Sequence, residues 1–360
     1  MLPDFALAPF GVAYGAAGSV RRALYRAGVL RVRQVGVPVI SVGNITAGGT
    51  GKTPLVEWLA RALACEGRRV CILSRGYGRA DAGRRVVVSD GERVLAGARE
   101  AGDEPRLLAE SLSGLHVAVV SDADRVAAAR WAVENLRSEV FILDDGFQHL
   151  RIARDLNILT LDATDPWGGG RLLPTGRLRE PLGELKRADL IVITRAELAG
   201  DVENLRARAR SLSDGRTVLV ARTATERIAP LITDAAVASG ANELSPIHVA
   251  DIPQPLAAFC AIGNPQAFFA HAGREGLSLN YTRAFTDHHV YTQRDVDDCA
   301  REAVKRGARA LLTTAKDAVK LRALDLSALP CYVLEVALRF DDEQKMRAVL
   351  NECLSRRSKL

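Results

Sequence analysis

The apolar run Val37, Pro38, Val39 and Ile40 empties into SVGNITAGGTGKT over residues 41–53, and a segment with one apolar helical face follows. This order constrains the chain more than any other feature. A strand, a glycine-rich turn ending in Gly-Lys-Thr and an amphipathic helix together present backbone amides and a positive helix end to an anion. Lys52 is placed to reach the β and γ phosphates of a nucleoside triphosphate, and the Thr53 hydroxyl to hold Mg²⁺. The predicted phosphate loop comprises Thr46, Ala47, Gly48, Gly49, Thr50, Gly51, Lys52 and Thr53. Thr46 stands where the general pattern has glycine, and Gly48, Gly49 and Gly51 supply the missing backbone freedom nearby. In the helix, Leu55, Val56, Leu59 and Leu63 share a face, and Pro54 falls in the first turn, where its missing N–H costs little. A flexible turn before an unrelated helix is the plainer reading, and the strand, loop and helix in this order disfavour it.

At 360 residues and 48% hydrophobic content, the chain has material for about two domains with cores of their own. Its net charge of +6 suits an anionic partner such as a nucleotide, a phosphorylated substrate or a phospholipid headgroup. The charge is too diffuse to imply nucleic acid, and no motif for DNA or RNA is present. Six cysteines lie scattered with no C-x-x-C pair, which points to buried free thiols in a reducing compartment. No stretch reaches the ~20 apolar residues of a membrane span, and the first residues lack the basic start of a secretory signal, so a cytoplasmic chain is expected. Phe5 to Val20 carries no charge, however, and then meets Arg21, Arg22, Arg26, Arg31 and Arg33. Such a segment can lie in an anionic membrane interface or pack over the protein's own core, and the residues leave both open.

Short runs rich in Val, Ile and Leu then alternate with helical stretches: 70–73, 86–88, 117–120, 140–143, 156–161, 190–193 and 217–220. Strands buried on both faces read this way, which predicts an α/β fold with a mostly parallel sheet flanked by helices. A second series at 256–262, 308–313 and 331–336 predicts a smaller α/β domain. The stretch 221–255, with four prolines, reads as the connection. The expected division is 1–222 and 223–360.

Ligands in such folds gather at the carboxyl ends of strands. Asp144 and Asp145 follow the run Phe141 to Leu143, where a Mg²⁺ ligand of a phosphate-loop protein belongs; Asp144 is the leading candidate and Asp145 a second ligand or a base. Asp103, in Gly-Asp-Glu-Pro, sits at a helix start, where capping is the commoner role. His288 and His289 precede Thr292 and Asp295, a capping-box spacing, and therefore lie on a loop. Adjacent histidines point apart, which argues against zinc, whereas an Asp with a His can take a proton from an alcohol. Arg75, Tyr77 and Arg125 at strand ends suit an anionic substrate. Thr314, Lys316 and Asp317 faintly suggest the base-reading loop of a GTP-binding protein.

In this order GNITAGGTGKTP, SRGYGR, GDEP, SDADR, LDDGFQH, LLPTGRLRE, the TDHH segment and TTAKDAVKL resemble the tetraacyldisaccharide 4′-kinase family of lipid A synthesis. The resemblance implies transfer of the γ-phosphate of ATP to the 4′-hydroxyl of an anionic acylated disaccharide, at the cytoplasmic face of a bacterial inner membrane. It implies peripheral membrane contact, no nucleic acid and no obligate protein partner. It further implies that Asp103 and His288 form the pair that activates the hydroxyl. Lys52, Thr53 and Asp144 would manage phosphates and magnesium, and Arg75, Tyr77 and Arg125 would touch the substrate or the triphosphate. Gly169, Gly170 and Arg177 depart from the family pattern, so that loop receives no assigned contact. A nucleotide-switched GTPase and a soluble small-metabolite kinase are the alternative expectations.

Overall fold

The structure, a computed structural model, describes residues 4–235 and 246–357. The strands are β1 (Val39–Gly43), β2 (Val70–Ser74), β3 (Val86–Asp90), β4 (Ala118–Ser121), β5 (Val140–Leu143), β6 (Leu156–Asp162), β7 (Leu190–Thr194), β8 (Thr217–Pro230), β9 (Leu256–Cys260), β10 (Leu279–Ala284), β11 (Ala310–Thr314) and β12 (Cys331–Phe340). Flanking them are helices α1 (Asp4–Arg26), α2 (Lys52–Cys65), α3 (Ala98–Ala101), α4 (Asp103–Ser111), α5 (Arg125–Leu136), α6 (Val202–Leu212), α7 (Pro265–Arg274), α8 (Gln293–Lys305), α9 (Ala315–Leu321) and α10 (Glu343–Arg357). The strands form one hydrogen-bonded series in the order β10-β9-β11-β12-β8-β7-β6-β1-β5-β2-β4-β3.

Pairing is parallel except where β3 meets β4 and β8 meets β12. The expected mostly parallel α/β sheet is therefore present. β1, β2 and β5 to β7 are buried along their whole length, as covered parallel strands must be. Residues 221–230, expected as the start of a connection, instead continue β8. Its first residues pair with β7 and residues 221–230 pair with residues 332–340 of β12, so one strand serves both halves of the sheet. β10 was not expected; Leu279–Ala284 is polar and half-exposed because it is an edge strand paired only with β9.

β1 and β5 lie side by side, which brings the loops after Gly43 and Leu143 together at one end of the sheet. Phe147, from the second loop, is fully buried against Gly43, whose added Cβ would fall 2.6 Å from the phenyl Cβ, and the Arg187 guanidinium lies over its ring at 4.1 Å. The back of α2 packs Leu55, Val56 and Leu59 into an apolar cluster that also holds Leu338 of β12 and Met346, Leu350 and Leu354 of α10. Trp58 meets Phe340 edge to face at 4.9 Å. The C-terminal helix, assigned from the sequence to residues 223–360, thus packs on the first half.

Helix α1 runs through Pro9 and its glycines, and Arg22 ties it down by ion pairs to Glu180 at 3.9 Å and Glu184 at 2.9 Å. Phe10, Val12 and Val20 on it are 64%, 73% and 60% exposed. Among the described residues no helix is long and apolar enough to cross a membrane. Removing the Phe147 ring should leave a cavity under the site loops. Phe147→Ala is expected to lower unfolding free energy by about 3–5 kcal/mol, read from the urea midpoint at unchanged slope.

Candidate active site

Gly51 ends the phosphate loop in a left-handed conformation (φ 74°) and is the N-cap of α2, so no side chain satisfies the amides of the first turn from that position. An anion seated there would meet those amides and the positive end of the helix. Gly48 to Thr53 all line a cavity of about 960 Å³. Thr46 and Ala47 do not line it. The Thr46 backbone bridges to Leu178, and the Ala47 amide donates to the Arg177 carbonyl at 2.6 Å, so both are spent on fixing the loop. Arg177, the departure noted above, donates through Nη2 to the Ala47 carbonyl at 2.9 Å. Gly49 lies against Gly263 of the second half, where a Cβ on Gly263 would stand 2.2 Å from the Gly49 nitrogen.

Lys52 Nζ donates to Asn44 Oδ1 at 3.3 Å and lies 3.6 Å from Asp145. Both oxygens of Asp145 accept from Arg179 at 2.8 Å. Burial would raise the Asp145 pKa, but Lys52 and Arg179 outweigh it and hold the carboxyl below its usual range. With both oxygens occupied by a guanidinium, Asp145 is arranged as an ion-pair partner more than as a metal ligand.

Asp144 differs. It is 2% exposed, and burial, with Glu104 and Asp145 nearby, pushes its pKa up to about 7. Ser74 Oγ donates to its Oδ2 at 3.3 Å, whereas Oδ1 is buried with no hydrogen-bond partner. An orphaned carboxylate oxygen in the cavity that Lys52 and Thr53 also line fits a hard divalent cation, which would supply the missing partner.

A second set of groups faces this one across the cavity. Asp103, at the first position of α4, is 7% exposed, and His288 Nδ1 lies 3.0 and 2.9 Å from its two oxygens. His288 has a left-handed backbone (φ 61°) and its ring stands 4.8 Å from that of Tyr77. Burial would lower the His288 pKa, yet the Asp103 hydrogen bond together with the Asp103 and Asp287 charges outweighs it and raises it above its ordinary value. Burial raises the Asp103 pKa, and His288 and Lys316 more than reverse this. His289 turns the other way, to Asp295, inside the expected capping box. Arg75, Tyr77 and Arg125 line the same cavity, Tyr77 being 67% exposed. His149 lines it too; burial first, then Arg125, Arg154 and Arg21, push its pKa down to about 4, so its ring is neutral.

Asp317 is fully buried and accepts from the Ala261 amide at 3.0 Å and the Thr314 hydroxyl at 2.8 Å. It anchors α9, with both oxygens engaged by the protein itself, which removes the sequence support for a GTP-reading loop. Sequence reasoning missed Asn44, Glu104 and Arg179 as site residues and gave Lys316 to a base-reading loop instead. Asn44 and Arg179 stand within the quoted motifs GNITAGGTGKTP and LLPTGRLRE, where a signal was available.

The comparison with known proteins decides between the remaining readings: residues 3–355 match the family model described as tetraacyldisaccharide-1-P 4′-kinase. The chain belongs to this family. Relatives named tetraacyldisaccharide 4′-kinase include one from Geobacter metallireducens, 43% identical over 334 residues (92% of this chain and 93% of the relative). Another, from Geobacter sulfurreducens, is 41% identical over 349 residues (95% and 91%). The crystal structure of LpxK from Aquifex aeolicus in complex with ATP superposes with a TM-score of 0.74 at 32% identity, covering 98% of this chain and all of that one. The protein is accordingly an ATP-dependent kinase that phosphorylates the 4′-hydroxyl of a lipid A disaccharide precursor.

A carboxyl with a pKa of about 7 must lose its proton to hold Mg²⁺. Affinity for Mg²⁺–ATP is therefore expected to rise as pH passes upward through about 7. Titration calorimetry at pH 6 and pH 8 should show this in the natural chain and not in Asp144→Asn.

Proposed function

We propose that the Asp103–His288 pair activates the acceptor hydroxyl while the phosphate loop holds ATP. The observation that carries this reading is that one cavity contains both the open end of α2 and the His288 ring, with Asp103 behind the ring. A sugar hydroxyl is a poor nucleophile until a positioned base takes its proton. With Nδ1–H donated to Asp103, the Nε2 lone pair faces the cavity and can accept that proton, and the Asp103 carboxylate stabilises the imidazolium that forms. Lys52 and the amides of Gly49 to Thr53 stabilise the charge on the transferring phosphoryl group. Thr53 and Asp144 would hold Mg²⁺, which would supply positive charge to neutralise the phosphates. Arg179 keeps Asp145 beside Lys52, and Arg75, Tyr77 and Arg125 are available to the anionic disaccharide.

In this reading the two units, which share the strand pair β8 and β12, close over the reactants and exclude water from competing for the phosphoryl group. The smaller unit then begins near residue 223 and ends with β12, because α10 packs on α2. Membrane contact is assigned to α1. Its exposed Phe10, Val12 and Val20 would enter the interface of the inner membrane's cytoplasmic leaflet, with Arg21 and Arg26 toward headgroups. Tyr14 and Arg21 of this helix also line the cavity, which supports an approach of the acceptor lipid from the bilayer toward the phosphate loop.

Asp103→Ala and His288→Ala should each lower kcat by roughly a hundredfold or more with ATP affinity retained. Transfer of labelled γ-phosphate to the tetraacyldisaccharide 1-phosphate in vesicles measures this. Near-normal turnover in either variant removes that residue from the role. Release of label only to water, indifferent to lipid, would instead favour a nucleotide switch. Replacing Phe10, Val12 and Val20 together by serine should reduce co-sedimentation with anionic vesicles and leave ATP affinity unchanged.

A further inference from the structure

Lys316 lies in the first turn of α9, and its ammonium points toward α4. It is mostly buried and surrounded by acceptors. Nζ lies 2.9 Å from Glu104 Oε1, 3.1 Å from Asp287 Oδ1 and 3.4 Å from His288 Nε2, with Asp103 Oδ2 at 3.9 Å. An ammonium has three hydrogens and no lone pair, so these three near contacts use its whole capacity. The imidazole nitrogen that it meets must therefore carry a lone pair. The ring proton is then left on Nδ1, and Nδ1 is the nitrogen held by Asp103. Two contacts from different elements, α4 and α9, thus specify the same tautomer.

The neighbours of Lys316 explain why the lysine stays charged. Burial would lower its pKa, and Glu104, Asp103 and Asp287 outweigh this and hold it above its ordinary range. The same contacts join the two halves, since Glu104 and Asp103 belong to α4 whereas Asp287 and His288 come from the loop after β10. Arg322, just after α9, adds an ion pair to Glu110 of α4 at 2.9 Å.

We propose that Lys316 is a positioning residue of the transfer reaction. It fixes His288 in the Nδ1–H tautomer and pins the histidine loop to α4, so that the Asp103–His288 pair is assembled before the acceptor arrives. This inference rests on the role proposed for that pair. When the acceptor hydroxyl takes over Nε2, Glu104 and Asp287 keep the displaced ammonium close by.

The groups facing His288 are Asp103 from α4, Asp287 from its own loop, Lys316 from α9 and the Tyr77 ring from the loop after β2. Lys316 is the charge among them that disfavours the imidazolium, and both aspartates favour it. Its removal should raise the His288 titration midpoint and carry the acid limb of kcat to higher pH.

The experiment is nitrogen-15 NMR of the full chain labelled at histidine, with Asn in place of His288 (His288→Asn) used to assign that ring among the six. In the natural chain the neutral ring of residue 288 should show a protonated Nδ1 and an unprotonated Nε2. An Nε2–H ring there overturns the proposal whether or not any variant folds. Lys316→Met is expected to mix the tautomers, shift the acid limb of kcat upward and lower kcat roughly tenfold, with KM for ATP changed by less than about twofold. Lys316→Arg, which keeps a cationic donor, should restore the tautomer. An unchanged ring spectrum and an unchanged acid limb in Lys316→Met also overturn it. Full turnover by His288→Ala would instead sink the role of the pair while leaving the tautomer spectrum of the natural chain as described, so the two failures are separable.

Discussion

The site is organised around the uncapped first turn of α2, a concentration of positive potential that only an anion can satisfy. β1 delivers the loop to that point, and Gly51 makes the turn that leaves the amides open. The carboxylates beside it would be repelled from one another without cations interleaved. Lys52 and Arg179 hold Asp145, and Arg125 lies near Asp144. Asp144 alone keeps an oxygen without a protein partner, which makes it the natural place for added positive charge.

Half of the described non-glycine residues with a left-handed backbone lie around this site. Asp145, Arg195 and His288 are non-glycine residues with φ of 51°, 53° and 61°. Conformations of this kind cost on the order of 1–3 kcal/mol each and persist where surrounding contacts over-determine them. Those contacts are visible: Arg179 grips Asp145, Arg195 Nη1 donates to the Gly49 carbonyl at 2.7 Å and pairs with Asp162, and Asp103 with Lys316 brackets His288. The parallel strands beneath supply the rigidity that makes such clamps effective.

Much of this was legible in the residues because parallel strands buried on both faces must be largely apolar, and β1, β5, β6 and β7 are, with few polar interruptions. Strands that serve an edge or a ribbon escape that rule. β10 carries Asn280, Thr282 and Arg283, and the second half of β8 runs Thr223, Ala224, Thr225, Glu226, a stretch that reads as linker until its antiparallel partner is known. The Asp103–His288 pairing followed from family resemblance, since nothing in local sequence links residues so far apart. Asp145 looked like a metal ligand because adjacent carboxylates are ambiguous until a partner is placed, and Arg179, 34 positions away, is that partner. The Thr314–Asp317 segment misled for the opposite reason: its capping bonds are local, and the same residue types serve base recognition elsewhere.

The docking of α10 on α2 carries a consequence for biosynthesis. Leu55, Val56 and Leu59 are translated well before Leu338, Met346, Leu350 and Leu354, which complete the apolar cluster they belong to. The helix that grips the triphosphate therefore waits for a distant segment before its apolar back is fully sheltered. Until that segment is made, the surface is open to chaperones or to other nascent chains.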